Sequence, residues 1–144
     1  MQKWDNNFQT VQTFSFLGSI INDNKIHSNK ILTRINKGNK AFFRNKKKVL
    51  SSKLIRKQSK MKIQITTIRA IVTYAAKNWT LTGRDINYLT IFERRILKKI
   101  FGPIQDTDGW RIRTLHELNK LTGANMLRPI KAQTLKWWGN LHRM

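Results

Sequence analysis

Residues 82–103 read TGRDINYLTIFERRILKKIFGP, and the stretch carries the marks of one complete helix. Thr82 and Asp85 stand at capping-box spacing, with Asp in place of the usual Glu. Leu89, Phe92, Ile96 and Ile100 recur every three or four residues and form one apolar stripe. Gly102-Pro103 ends the pattern, so the spacing predicts a helix over 84–100. Off the stripe, Arg94, Arg95, Lys98 and Lys99 fall at i, i+1, i+4 and i+5 and crowd one side. Glu93 is the only carboxylate near them in sequence. Four cations against one acid are better explained by phosphate contact than by a merely solvated face.

Two more helices are predicted upstream. Over 29–48, Ile31, Ile35, Gly38 and Phe42 form an apolar stripe, with Ser28 as the expected N-cap. Lys30, Arg34, Lys37, Arg44 and Lys48 make a second stripe, about 100° round the helix. Over 56–77, Met61, Ile65, Ile68, Val72 and Ala75 form a stripe widened by Ile63, Ile71 and Tyr74. Such breadth predicts a central helix contacted on two sides. Arg56, Lys57, Lys60 and Lys62 crowd its first half.

Charge follows this helical block. The chain of 144 residues has 29 Lys and Arg against 7 Asp and Glu, a net of +22. Residues 26–103 hold 20 bases and two acids, Asp85 and Glu93. Self-repulsion on that scale opposes a compact state unless a polyanion neutralises it. Hydrophobic residues at 40% suffice for a core and exclude a simple basic tail.

Composition also excludes function classes. With no cysteine there is no disulfide and no thiolate zinc site. His27, His116 and His142 are too scattered in sequence to point to a metal cluster. No apolar run approaches the ~20 residues of a membrane span. The N-terminus, MQKWDNNFQT, lacks the apolar segment of a secretory signal. The expected setting is intracellular, without membrane, and the expected partner is nucleic acid.

At the N-terminus, residues 11–21 (VQTFSFLGSII) alternate with period two and predict one strand or one arm of a hairpin. In a single strand Phe14, Phe16 and Ile20 share a face. Asn22-Asp23-Asn24 is the expected turn. At the other end, residues 104–113 read as a loop. Thr114 and Glu117 form a capping box for a short helix to Leu121, stopped at Gly123. A last helix spans about 127–141, with Leu127, Ile130, Thr134, Trp137 and Leu141 on one face, so Trp137 is expected in the core. Trp110 and Trp138, interleaved with Arg111, Arg113 and Lys136, are divided between core packing and base stacking.

No catalytic constellation emerges. Asp106-Thr107-Asp108 is the only close carboxylate pair, and it reads as surface loop rather than a metal site. No phosphate-binding glycine loop and no nucleophile–base pair is present. The run Arg44-Asn45-Lys46-Lys47-Lys48 suits a helix end plus nucleic-acid contact better than a dedicated import signal. No catalytic residue, metal ligand or cofactor is expected.

The segment FSFLGSII at 14–21 resembles the F-x-Y-L-G-S-x-I primer-gripping hairpin of non-LTR retrotransposon reverse transcriptases. The resemblance continues in order through RINKGNKAFFR, LSSKLIRKQSKMKI, IRAIVTYAAKNWTLT, FERRILKKIFGP, GWRIRTLHEL and LKWWGNLHRM. These are similar to the thumb and short C-terminal segment of insect-type endonuclease–reverse transcriptases, and they span roughly 11–144. The resemblance implies that Phe16, Leu17 and Gly18 approach a primer end. It implies that endonuclease, fingers and most of the palm, with its paired aspartates and metal ions, lie upstream; no Asp-Asp occurs in this chain. The chain departs from the family pattern at several positions. Phe16 stands for Tyr, Ile55 for a capping Ser, Ala70 for Pro and Ala75 for Gly. Lys77 stands for Glu, Leu115 for Asn and Asn140 for His.

The expected fold is mainly α. A palm and primer-grip remnant at 1–25, a strand or hairpin, precedes a basic, thumb-like three-helix bundle at 26–103. A helical extension follows at 104–144. The expected function is that of a non-catalytic piece of an RNA-directed DNA polymerase, gripping template–primer or other duplex by its phosphates without reading sequence. Its implied further partner is the absent palm, and its implied place is the nucleus or a ribonucleoprotein. An independent basic helical nucleic-acid-binding protein is the alternative, and a membrane-active cationic protein is a third class.

Overall fold

The apolar stripes of the central block become helices packed on one another. The computed structural model describes residues 11–16, 19–22, 28–46, 49, 51–123 and 125–143. Helix α1 spans Ser28–Asn45, and Ser28 is already helical. The expected extension through Lys47 and Lys48 lies outside the described residues. A second helical rod runs through α2 (Lys57–Ile63), a π-helical stretch (Gln64–Arg69) and α3 (Ala70–Thr73). Helix α4 spans Gly83–Phe101, α5 Leu115–Thr122 and α6 Leu127–Leu141. The chain is mainly α.

Local chemistry sets these ends. The Thr82 hydroxyl accepts from the Asp85 N–H, and Asp85 accepts from the Thr82 N–H at 3.1 Å. Thr114 and Glu117 repeat the same box at α5. At Gly102 the backbone turns to φ 68°, and its N–H caps the Lys98 carbonyl at 2.9 Å. The rod ends differently: Tyr74 leaves helical geometry, and Ala75 adopts a left-handed conformation with φ 61°.

Ile31, Ile35 and Phe42 of α1 meet Ile68 and Val72 of the rod and Leu89, Phe92, Ile96 and Ile100 of α4. The three helices close around Gly38. A Cβ there would stand 2.5 Å from Val72 Cγ2 and 2.9 Å from the Phe92 ring. Its cost to helix stability, about 1 kcal/mol relative to Ala, therefore coincides with a close approach that no side chain permits. As the width of its stripe predicts, the rod touches both α1 and α4.

The rod's burial departs from the simple pattern. Gln64 is fully buried and Ile65 is partly exposed, although Ile65 is the apolar residue of the pair. Both positions, i+3 and i+4 from Met61, border the same face, and Gln64 falls in line with buried Met61, Ile68 and Val72. Ala75 points outward, and Ala76 takes the core position.

The segment beginning at 104 does not stand apart. Met126 and Ile130 belong to the same core as Ile31 and Phe92, and Leu118 of α5 packs with Met61 and Leu97. Residues 104–113, expected as loop, contain a small antiparallel hairpin. Strand β3 (Ile104–Asp106) pairs with β4 (Gly109–Arg111), and Thr107-Asp108 make the turn.

The N-terminal strand is also a hairpin, folded on itself. Strand β1 (Thr13–Phe16) pairs antiparallel with β2 (Ser19–Asn22), in the register Phe14↔Ile21 and Ser15↔Ile20. Position 21, not 20, therefore lies across from Phe14, which corrects the single-strand grouping. Phe14 and Phe16 stack at 6.3 Å and are both about half exposed. Leu17, Gly18 and the Asp23-Asn24 end of the expected turn lie outside the described residues.

Candidate nucleic-acid interface

Asp85 and Glu93 are the only acids between 26 and 103, and both face inward. Asp85 is held by the α4 cap. One oxygen of Glu93 accepts from the guanidinium of Arg69, itself buried. The other accepts from the Met126 N–H at 2.9 Å. Glu93 thus ties the rod, α4 and the start of α6 together. It cannot also serve as counter-ion to its neighbours Arg94, Arg95, Lys98 and Lys99. The bundle keeps both acids inside and, Arg69 apart, its described cations at or near the surface.

The four α4 cations do not act as one group. Arg95 and Lys99 are exposed, while Arg94 and Lys98 are half-buried. Arg95 and Lys99 join Asn39, Phe42 and Phe43 of α1 around a shallow pocket. The Lys99 ammonium sits 5.0 Å from the centre of the Phe43 ring and 5.4 Å from that of Phe42. Phe43 is half exposed, so this pocket offers an aromatic face beside two cations.

The cationic stripe of α1 lies on the opposite flank. Arg34 stacks over the Tyr74 ring at 4.6 Å, at the end of the rod. Its partial burial lowers its pKa from the ordinary guanidinium value, with Tyr74 acting in the other direction. Lys30 is half-buried, and Lys37 and Arg44 are exposed. Phe43 is about 120° round α1 from Ile31 in one sense, and Lys37 about 120° in the other. The two groups therefore flank α1 on separate sides. Lys48 lies outside the described residues, as do Leu17 and Gly18 of the primer-grip-like set; Phe16 of that set is exposed on β1.

Arg111 has an internal task that the sequence reading missed. Its guanidinium donates two bonds to Glu117, at 2.6 and 3.0 Å, and a third to Asp106 at 2.7 Å. The Arg111 fork and the cap N–H of Thr114 hold the Glu117 carboxyl down at about 2. Arg111 lowers the Asp106 pKa too, and its own is raised by the two carboxylates. One cation between two acids has its charge balanced locally, which weighs against Arg111 as a phosphate contact. It instead staples the β3–β4 hairpin to the start of α5. Arg113 is half-buried, with its Nε unpartnered.

The tryptophans divide against expectation. Trp137 is 39% exposed and not a core residue, because α6 runs past its packing partners after Thr134. Trp110 and Trp138 are more exposed still. Among the described residues no group of three or more His, Asp or Glu is placed to hold a metal ion. Nor is any helix among them long and apolar enough to cross a membrane. Comparison with protein-family models, with characterised proteins and with solved structures finds no match to this chain.

Proposed function

We propose that this chain is the thumb and C-terminal part of a non-LTR retrotransposon reverse transcriptase. In this reading it grips template–primer or other duplex through phosphates and performs no chemistry itself. One observation carries the binding half. Both carboxylates of the bundle are buried and engaged, so its exposed cations have no counter-ion of their own. Two details support the family half. Ala75 is left-handed where the resembled family has Gly. The wide π turn ends at Arg69, directly before the position where that family has a bending Pro. A nuclear or ribonucleoprotein location follows from the same reading.

Salt titration of duplex binding tests the proposal. With ~6 phosphates contacted, log K falls against log salt with a slope near −5. Changing Arg94, Arg95, Lys98 and Lys99 together to Ala should flatten that slope and leave the helix folded. An unchanged slope and affinity would place the contact elsewhere. Primer extension with Mg²⁺ or Mn²⁺ should give no incorporation, because the chain has no paired aspartates for two metal ions. Incorporation that survives stringent purification would overturn the reading.

A second reading, an independent nucleic-acid-binding protein, is favoured by one observation. The N-terminal strand pairs with itself and needs no outside sheet. Against it stand Phe14 and Phe16, which leave an apolar face uncovered.

A further inference from the structure

Helix α6 has two adjoining faces, and the bundle uses one of them as far as Thr134. Ile130 is buried in the core, with Leu127 and Thr134 half-buried beside it. About 90° round the helix run Arg128, Lys131, Leu135, Trp138 and His142, spaced three and four residues apart. All five are exposed, Leu135 at 72% and Trp138 at 54%. The Trp138 and His142 rings lie 5.3 Å apart, tilted by 34°. Lys131 stands about 10 Å back along the axis from Trp138. No acid follows Glu117 in the chain, so this stripe is positive without compensation from its own segment.

The order of residues selects the occupant. A bilayer or a partner helix needs an unbroken apolar stripe with cations at its margins. Here Arg128 and Lys131 take up the N-terminal half of the same line as Leu135 and Trp138, so its apolar part is short. An acidic protein would satisfy the cations but would leave the open indole unused. Unpaired nucleotides supply both complements, a charged backbone and a π face on every base.

We propose that this stripe of α6 is a binding site for single-stranded nucleic acid of any sequence, with Arg128 and Lys131 on phosphates and one base stacked on Trp138. The site is separate from the cationic flanks of α1 and α4 and does not rest on duplex binding there.

Labelled oligomers of about ten nucleotides, a length within the usual range of such sites, test it on the full chain by fluorescence anisotropy. Oligothymidine, oligouridine, an abasic oligomer and a duplex are each titrated at one fixed salt concentration. Trp138→Ala should weaken single-strand binding by about tenfold, the loss of one stacked base, and leave duplex binding unchanged. Trp138→Phe should restore most of the affinity, because a ring remains. The abasic oligomer should bind the unaltered chain about as weakly as oligothymidine binds the Ala variant. Preference between oligothymidine and oligouridine tells DNA from RNA, and either carries the proposal. Equal single-strand affinity with and without Trp138 would overturn it, as would an abasic oligomer that binds as tightly as oligothymidine. So would self-association abolished by Trp138→Ala, which would assign the face to a second copy. Loss of duplex binding alone would count against the phosphate-gripping bundle and leave this site standing.

Discussion

Replacing Glu93 by Ala should be among the most damaging single changes to this fold. Glu93 and Arg69 are each 9% exposed at the side chain, and Glu93 also accepts the Met126 N–H. Removing the carboxylate takes from the buried Arg69 guanidinium the anion that balances its charge, a change worth about 3–5 kcal/mol. The Met126 N–H loses its acceptor at the same time, which adds part of a further ~1–3 kcal/mol. Against a typical total of about 5–15 kcal/mol, the variant should be only marginally folded. Thermal melts followed by circular dichroism should show a fall in Tm of roughly 10 °C or more. Replacing both partners by apolar residues of similar size, Arg69→Met with Glu93→Leu, should recover most of the loss, because neither charge is then stranded. Glu93→Gln, if folded, should leave the salt slope of duplex binding unchanged. A steeper slope would mean that Glu93 does neutralise the α4 cations. A Glu93→Ala variant within about 1 kcal/mol of the parent would refute the buried tie altogether.

Other changes read out other parts of the structure. Ala75→Gly should stabilise the chain, since Ala in the left-handed region costs about 1–2 kcal/mol and Gly returns roughly 0.4–1 of it through the unfolded state. Ala75 is exposed and loses no packing, so a rise of about 1–3 °C in Tm is expected, and a fall would contradict the backbone assignment. Glu117 should titrate near 2 by NMR, and its contribution to stability should be complete above the ordinary carboxylate range, near 4.5, and lost as pH falls through about 2. Arg111→Ala should return that titration toward 4.5; no movement would remove the fork as its cause. Deleting residues 1–24 should improve solubility and retain most nucleic-acid affinity, since it removes one base and two acids along with the exposed Phe14 and Phe16. Amide exchange should correspondingly be fast in β1 and β2 and slow around Ile68–Val72 and Leu89–Ile96. Helices that unfold on this deletion would make the hairpin integral to the core.

The sequence showed most clearly those features whose cause is local. Both capping boxes, the Gly102 stop and the stripe of α4 involve groups within a few residues of each other, and all appear as read. What escaped depends on partners far along the chain. Periodicity placed Trp137 on the packed face of α6 but could not say where that packing ends. Glu93 stands in sequence beside four cations, yet it also lies four residues from Leu89 and from Leu97, both buried. That spacing was the available hint that it turns inward; its partner Arg69, 24 residues away, had none. The β3–β4 hairpin was missed because its strands are only three residues long. The turn-favouring Asp108 and Gly109 beside an alternating Trp110 were the signal for it.

Gly38 and Glu93 together account for how so basic a bundle can pack. Helices of like charge resist approach, and the contact at Gly38 brings α1 within side-chain distance of both Val72 and Phe92. Apolar burial there must outweigh the repulsion, and the geometry lessens it by separating the charges. The α1 stripe turns toward Tyr74, while Arg95 and Lys99 turn to the far flank beside Phe43. The acids that could have relieved the remaining surface charge are instead spent on the α4 cap and on the tie to Arg69 and Met126. Moving either outward would soften the repulsion but would unfasten a helix end or take the balancing carboxylate from a buried guanidinium. The fold therefore keeps its internal ties at the cost of an uncompensated exterior, and binding of an external polyanion, as proposed above, would remove that cost.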